Sequence, residues 1–174
     1  MMHVLKGDIT RLDFDVIVNA ANEQLAPGGG VCGAIHQAAG KALAAECWKL
    51  GGCRTGQAKM THAYELPCKA VIHAVGPIYS GSPKDKEYLE AAYWNSMVLA
   101  YDFMTKNHMD HLTLAFPCIS TGIYGYPKEA ACKIAIRTVQ RMYAQYKDTR
   151  HIDVTYVCYD EENYMIYKKA MHVR

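Results

Sequence analysis

No apolar run in this 174-residue chain approaches the length needed to cross a membrane. The opening residues Met1-Met2-His3-Val4-Leu5-Lys6 lack the apolar core of a secretory leader. Charge of one sign is not in excess either, since 19 Lys and Arg against 17 Asp and Glu leave a formal net charge of +2. That balance gives no electrostatic case for an anionic membrane surface or for nucleic acid, sequence-specific or not. The seven cysteines form no CxxC and no paired Cys/His spacing. Cys47 and Cys53 are too isolated for a zinc site, which needs a full set of soft ligands at close quarters, so no metal is expected. Cys118, Cys132 and Cys158 sit inside apolar patterns, where cysteine serves as a small core residue. A reduced, cytoplasmic protein with free thiols is the economical reading. A Walker-type Gly-Lys-Ser/Thr and an internal repeat are also missing.

What is present is an ordinary globular balance, 51% hydrophobic and 21% charged, in a length that suits one domain. Strand-like runs are expected at His3–Lys6, Val16–Asn19, Lys59–His62, Ala70–Val75, Thr113–Phe116 and Asp153–Cys158. Helical periodicity runs over Gly33–Leu50, Asp85–Asn107, Lys128–Tyr146 and Glu161–Val173. Asp160, ahead of Glu161 and Glu162, suits the N-cap of the last of these. Strands interleaved with helices imply βαβ crossovers, a largely parallel sheet and helices on both faces. Ligands of such sheets collect at the C-terminal ends of the strands.

The most informative segment is Asp15-Val16-Ile17-Val18-Asn19-Ala20-Ala21-Asn22 followed by Pro27-Gly28-Gly29-Gly30-Val31-Cys32-Gly33. Val16–Val18 read as a strand covered on both faces, running into two amides and a glycine loop that opens a helix. Such a loop offers backbone N–H groups and the positive end of a helix dipole, which suits a phosphate; a permissive surface loop is the alternative. A second loop, Pro117-Cys118-Ile119-Ser120-Thr121-Gly122-Ile123-Tyr124-Gly125-Tyr126-Pro127, also joins a strand to a helix. The two could clasp a diphosphate between their amides, with Tyr124 against a sugar ring; a tight turn with structural glycines is the alternative. Gly28-x-Gly30-x-x-Gly33 matches the dinucleotide fingerprint formally. Ala20–Pro27 intervenes after the strand, however, and the acidic residue for the ribose is missing, so a Rossmann oxidoreductase is the weaker reading. Asn19 and Asn22 can donate to one sugar hydroxyl and accept from another, with Asn19 the better candidate for a turn and Asn22 for ligand. Asp8 could accept from an exocyclic amine or cap a turn. His36 is expected to pack, and His62 and His73 to carry no catalytic role.

Gly7-Asp8-Ile9-Thr10, Val18-Asn19-Ala20-Ala21-Asn22, Gly28-Gly29-Gly30-Val31, Gly33-Ala34-Ile35-His36, Thr55-Gly56-Gln57-Ala58, Val71-Ile72-His73-Ala74-Val75-Gly76-Pro77 and Ile119–Pro127 together resemble the macrodomain family, in its MacroD-type branch. They occur in the family's order and span most of the chain, so residues 1–174 are read as a single macrodomain. The resemblance implies a three-layer α/β/α sandwich with a mostly parallel mixed sheet. It also implies binding of ADP-ribose and ADP-ribosylated proteins, and hydrolysis of ADP-ribosyl groups on acidic side chains and of O-acetyl-ADP-ribose. No cofactor is implied. Carried over by position, Asp8 would take the adenine amino group, the Ile9 backbone the ring, and Tyr159 its face. Gly30, Val31 and the loop Ser120, Thr121, Gly122, Ile123, Tyr124, Gly125 would hold the diphosphate. Asn22, Cys32 and Tyr124 would surround the distal ribose, where catalysis takes place. Cys32 stands where many MacroD-type hydrolases have an aspartate proposed to activate or position water. A thiol with the ordinary pKa near ~8.5 is a poor general base at neutral pH. Hydrolysis resting on positioning is therefore the favoured reading, and a reader without turnover the competing one.

Overall fold

The computed structural model describes residues 1–172, so the expected helical position Val173 lies outside the described residues. Six strands form one sheet: β1 (Met2–Lys6), β2 (Val16–Ala20), β3 (Ala58–His62), β4 (Ala70–Ala74), β5 (Leu112–Phe116) and β6 (Ile152–Cys158). Their spatial order is β1-β6-β5-β2-β4-β3. All neighbours pair parallel except edge strand β3, which runs antiparallel to β4. The helices are α1 (Gly30–Ala39), α2 (Lys41–Lys49), α3 (Lys84–Lys106), α4 (Lys128–Gln145) and α5 (Glu161–His172).

The pleat sorts the core into two layers. Val16 and Val18 of β2 join Leu114 and Phe116 of β5 under α3, α4 and α5. Ile17 faces the other way, with Val71, Ala115 and Val157, against Ile35 and Ala39 of α1 and Leu43 and Cys47 of α2. This is the three-layer α/β/α sandwich, and β2 is one of its two central strands, with four of five residues buried.

Two differences from the sequence stand out: a short 3-10 helix at Lys147–His151 that was not expected, and the helix Gly33–Leu50. The structure starts the latter earlier, at Gly30, and divides it at Gly40, which sits at φ 90° and ψ 176°. Gly40 N–H closes α1 on the His36 carbonyl, and its own carbonyl accepts from Leu43 N–H at the start of α2. A left-handed φ favours glycine, and a Cβ there would collide with the Glu65 carboxylate. Periodicity hides the break because Ile35, Ala39, Leu43 and Cys47 all remain on the core side.

Candidate functional site

Every strand except the edge strand β3 delivers its C-terminal end to one cavity of about 520 Å³. Of the residues named above for ligand or catalysis, it is lined by Asp8, Ile9, Asn22, Gly30, Val31, Cys32, Ser120, Thr121, Gly122, Ile123, Tyr124 and Tyr159. Gly125 is the exception. Its N–H bonds the Gly122 carbonyl and its φ is 71°, so it closes the turn behind the lining residues. Among the described residues the lining contains no Lys, Arg or His, so a bound anion would depend on backbone amides. Nor do the described residues include a group of three or more His, Cys, Asp or Glu able to hold a metal.

The amides come from two sides. The first turn of α1 begins at Gly30, so the N–H groups of Gly30, Val31 and Cys32 stand at the positive end of the helix. Across from them, residues 117–126 are held by buried anchors. Tyr93 of α3 donates its hydroxyl hydrogen to the Pro117 carbonyl at 3.4 Å and accepts from Ile119 N–H at 3.3 Å. Ser120 occupies a left-handed φ of 68°, a strained conformation for a residue with a Cβ. Its hydroxyl donates to the Pro77 carbonyl at 2.8 Å and its carbonyl accepts from Tyr126 N–H at 2.9 Å, which hold it there. Tyr79 N–H donates to the Tyr124 carbonyl at 2.8 Å, joining a third segment to this wall. A Cβ on Gly29 would lie 3.7 Å from Ile123 Cδ1, so the two loops approach within side-chain contact of each other.

At one end of the cavity, Asp8 Oδ1 accepts from Thr10 N–H at 3.0 Å and from the Thr10 hydroxyl at 2.7 Å. These bonds, the hydroxyl first, lower the Asp8 pKa and keep a carboxylate at the cavity edge. Tyr159 lines the same cavity with 82% of its surface exposed, so its aromatic face is open to a ligand. Asp160 caps α5, accepting from Asn163 N–H at 2.7 Å, as the sequence pattern predicts.

At the other end, Asn22 is held in a way the sequence did not indicate. Its Nδ2 donates to the Ala26 carbonyl at 2.9 Å and its Oδ1 accepts from Ala26 N–H at 3.0 Å. One amide hydrogen and one lone pair remain for a ligand. The Cys32 thiol donates to the same carbonyl at 3.6 Å and accepts from Asn19 Nδ2 at 3.7 Å. It is 6% exposed. Burial, then the nearby Cys32, push the Tyr124 phenol pKa up, so this hydroxyl stays protonated.

Behind Cys32 lies a buried polar chain. Asn19 Nδ2 is 3.1 Å from His73 Nδ1, and Thr61 Oγ1 is 2.9 Å from His73 Nε2. Because Asn19 can only donate from this nitrogen and Thr61 donates to the His62 carbonyl, the network assigns His73 as the Nε2–H tautomer. Burial lowers the His73 pKa to about 4, which keeps the ring neutral. Asn19 and His73 thus sit in the core, and His36 packs beside them with 8% exposure.

Gly76, Cys118 and Asn163 also line the cavity; the sequence placed Gly76 in a family motif and Cys118 in the second loop but gave none of the three a ligand role. A Cβ on Gly76 would overlap the Ser120 hydroxyl and touch Ile119 Cγ2, so this close approach requires glycine. The signal was available: Gly76 follows β4, and strand C-terminal ends are where such sheets bind.

A Macro domain family model matches residues 18–135. The chain is 51% identical over 170 residues to the ADP-ribose glycohydrolase MACROD2 of Xenopus laevis, covering 96% of this chain but only 39% of that protein. It is 47% identical to the O-acetyl-ADP-ribose deacetylase of Escherichia coli K12, covering 98% of this chain and 94% of the relative. Among solved structures, the Oceanobacillus iheyensis macrodomain with ADP superposes with TM-score 0.86 at 35% identity, over 97% of this chain and 88% of the other. The Trypanosoma brucei macrodomain in complex with ADP-ribose gives TM-score 0.86 at 34% identity, over 98% and 68%.

Proposed function

The chain belongs to the macrodomain family, and from that premise we propose that it binds ADP-ribose and hydrolyses its esters, both O-acetyl-ADP-ribose and ADP-ribosyl groups on acidic side chains of proteins. The observation that carries this reading is the cavity itself, lined on two sides by glycine-bearing loops that offer backbone amides and without a cationic side chain in the described lining. Adenine lies at the Asp8 end, accepting from Ile9 N–H and donating to the Asp8 carboxylate, with Tyr159 over the ring. The diphosphate lies between the α1 N-terminus and residues 120–124, and the distal ribose reaches Asn22 and Tyr124. The whole chain acts as one domain in the cytoplasm. The names of the relatives support this assignment of substrate.

The hydrolytic step follows from what Cys32 cannot do. A nearly buried thiol whose hydrogen is directed at the Ala26 carbonyl offers no base to a water in the cavity. The water is instead held by the ligand's own phosphate, beside a distal ribose oriented by Asn22. Attack at the anomeric carbon or the acyl carbonyl then draws on positioning and on the fixed amides. The same thiol favours a second reading, a reader that binds without turnover. Incubation with a protein ADP-ribosylated on glutamate or aspartate, with assay of released ADP-ribose, decides between them. Release at saturable rate supports hydrolysis, and saturable binding without release supports the reader.

A further inference from the structure

Seven free cysteines are present, and two of them meet inside the cavity wall. Cys118 Sγ lies 3.6 Å from Cys158 Sγ, with the Cys118 S–H donating. The pairing follows from register. Leu112 to Phe116 of β5 lie opposite Ile152 to Tyr156 of β6. Two residues further on, Cys118 falls opposite Cys158. Neighbouring strands are ~4.8 Å apart, within the Cα separation that a disulfide accepts, so closure needs side-chain rotation and a small backbone adjustment. Access is one-sided. Cys118 lines the cavity, whereas Cys158 is fully buried beneath it.

We propose that Cys118 and Cys158 form a reversible dithiol–disulfide pair, oxidised by a hydroperoxide that enters through the ligand cavity, so that bound ligand shields it. The chemistry balances in two steps. The Cys118 sulfur attacks the peroxide, the O–O bond breaks, and Cys118 becomes a sulfenic acid as one alcohol or water leaves. The Cys158 sulfur then attacks that sulfur. The S–O bond breaks, the S–S bond forms, and hydroxide departs with the Cys158 proton as water. The hydrogen bond to Cys158, followed by burial, pushes the Cys118 pKa well up, so few thiolates exist and the pair stays reduced under brief exposure.

The crosslink would reach both halves of the cavity. The Cys118 carbonyl accepts from Thr121 N–H and from the Thr121 hydroxyl, which shapes the loop expected to hold the diphosphate. The Cys158 carbonyl accepts from Gly7 N–H, which sets the position of Asp8. Shortening the Sγ–Sγ separation from 3.6 Å to the ~2.05 Å of a disulfide draws the two backbones slightly together, which strains both supports at once. This coupling rests on the ADP-ribose reading given above, whereas formation of the bond does not.

The test is peptide mapping of the reduced, full-length protein after hydrogen peroxide, with and without saturating ADP-ribose. A crosslinked peptide pair containing Cys118 and Cys158, about 2 Da lighter than the sum of the two reduced peptides, is expected. Ligand should slow it by roughly tenfold or more, because occupied protein is closed to peroxide. The oxidised protein should bind ADP-ribose at least about tenfold more weakly, and dithiothreitol should restore it. Cys118→Ser and Cys158→Ser should each abolish the crosslink, and Cys68→Ser should leave it. No crosslinked peptide, or oxidation that stops at a sulfinic acid on Cys118, overturns the pair. A crosslink that ADP-ribose does not slow, or that leaves affinity unchanged, overturns the coupling. Calorimetry on the reduced protein separates the two levels: absence of ADP-ribose binding there refutes the substrate reading, while ligand-free mapping still decides the disulfide.

Discussion

Replacing Asn22 tests catalysis and local structure together, and the geometry says how to separate them. Asn22→Ala removes two hydrogen bonds to Ala26, at 2.9 and 3.0 Å, in an exposed loop. A hydrogen bond contributes about 0.5–1.5 kcal/mol, and solvent at this site replaces much of it, so the expected cost is about 1 kcal/mol. For a chain of this length that lowers Tm by roughly 2–4 °C. The ribose loses the group that orients it, and misplacement beside the reacting carbon costs about a hundredfold in rate. ADP-ribose affinity, spread over the adenine and diphosphate contacts, should change by less than about tenfold, or 1.4 kcal/mol. Asn22→Asp keeps an acceptor for Ala26 N–H but loses the donor to the Ala26 carbonyl and adds a negative charge near the diphosphate. Its turnover should fall at least as far as that of Asn22→Ala. The assay is single-turnover release of ADP-ribose from an ester-linked protein, with calorimetry and thermal unfolding as controls. A variant that melts a few degrees lower yet turns over at a near-normal rate would show that Asn22 only clips its loop, and the mechanism would fail.

Cys32→Ala should retain turnover within about tenfold of the parent, since the thiol supplies no base, and Cys32→Asp should match or exceed it. A dead Cys32→Ala beside a normal Asn22→Ala would make the thiol the catalytic group. ADP-ribose should raise Tm by ligand linkage and NAD much less, because the nicotinamide on the distal ribose meets the Asn22–Tyr124 wall; equal shifts would revive a dinucleotide enzyme. Asp8→Ala should weaken ADP-ribose binding by roughly 1–3 kcal/mol, a lost charge-assisted hydrogen bond, and an unchanged Kd would remove Asp8 from the adenine end. His73, with its pKa lowered to about 4 in the fold against ~6.5 unfolded, makes the unfolded chain the stronger proton binder between those values. Stability should therefore fall as pH drops from about 6.5 toward 4, by about 3 kcal/mol in all. Urea unfolding of the parent and His73→Gln across that range should show a shallower pH dependence in the variant, and parallel curves would refute it.

Much of this protein is legible without coordinates. The strands appear within a residue or so of their expected bounds because short apolar, β-branched runs have few other uses. The Asp160 cap is local chemistry, and so is the start of a helix at the glycine loop. Motif order identified the family, and the alternation of strands and helices implied that ligand would collect at the strand C-terminal ends. The break at Gly40 was not legible, because a hydrophobic period reports which face is buried and is blind to one residue with a left-handed φ. Nor was the direction of β3, since a short alternating run reads the same in either sense.

What tertiary structure alone decided is which side chains are free. Sequence placed Asn22 and Cys32 near a sugar, but the Ala26 carbonyl, which both side chains share, determines what each can still offer a ligand. Asn19, expected to close a turn more readily than to touch ligand, is instead placed by the sheet between Cys32 and His73, the latter 54 residues away along the chain. Cys118 and Cys158 are 40 residues apart and become neighbours only through the register of two parallel strands. Local pattern is set by the covalent chain and its periodicity. Hydrogen-bond partners between distant segments are set by how the layers close, and at this site those partners determine the chemistry.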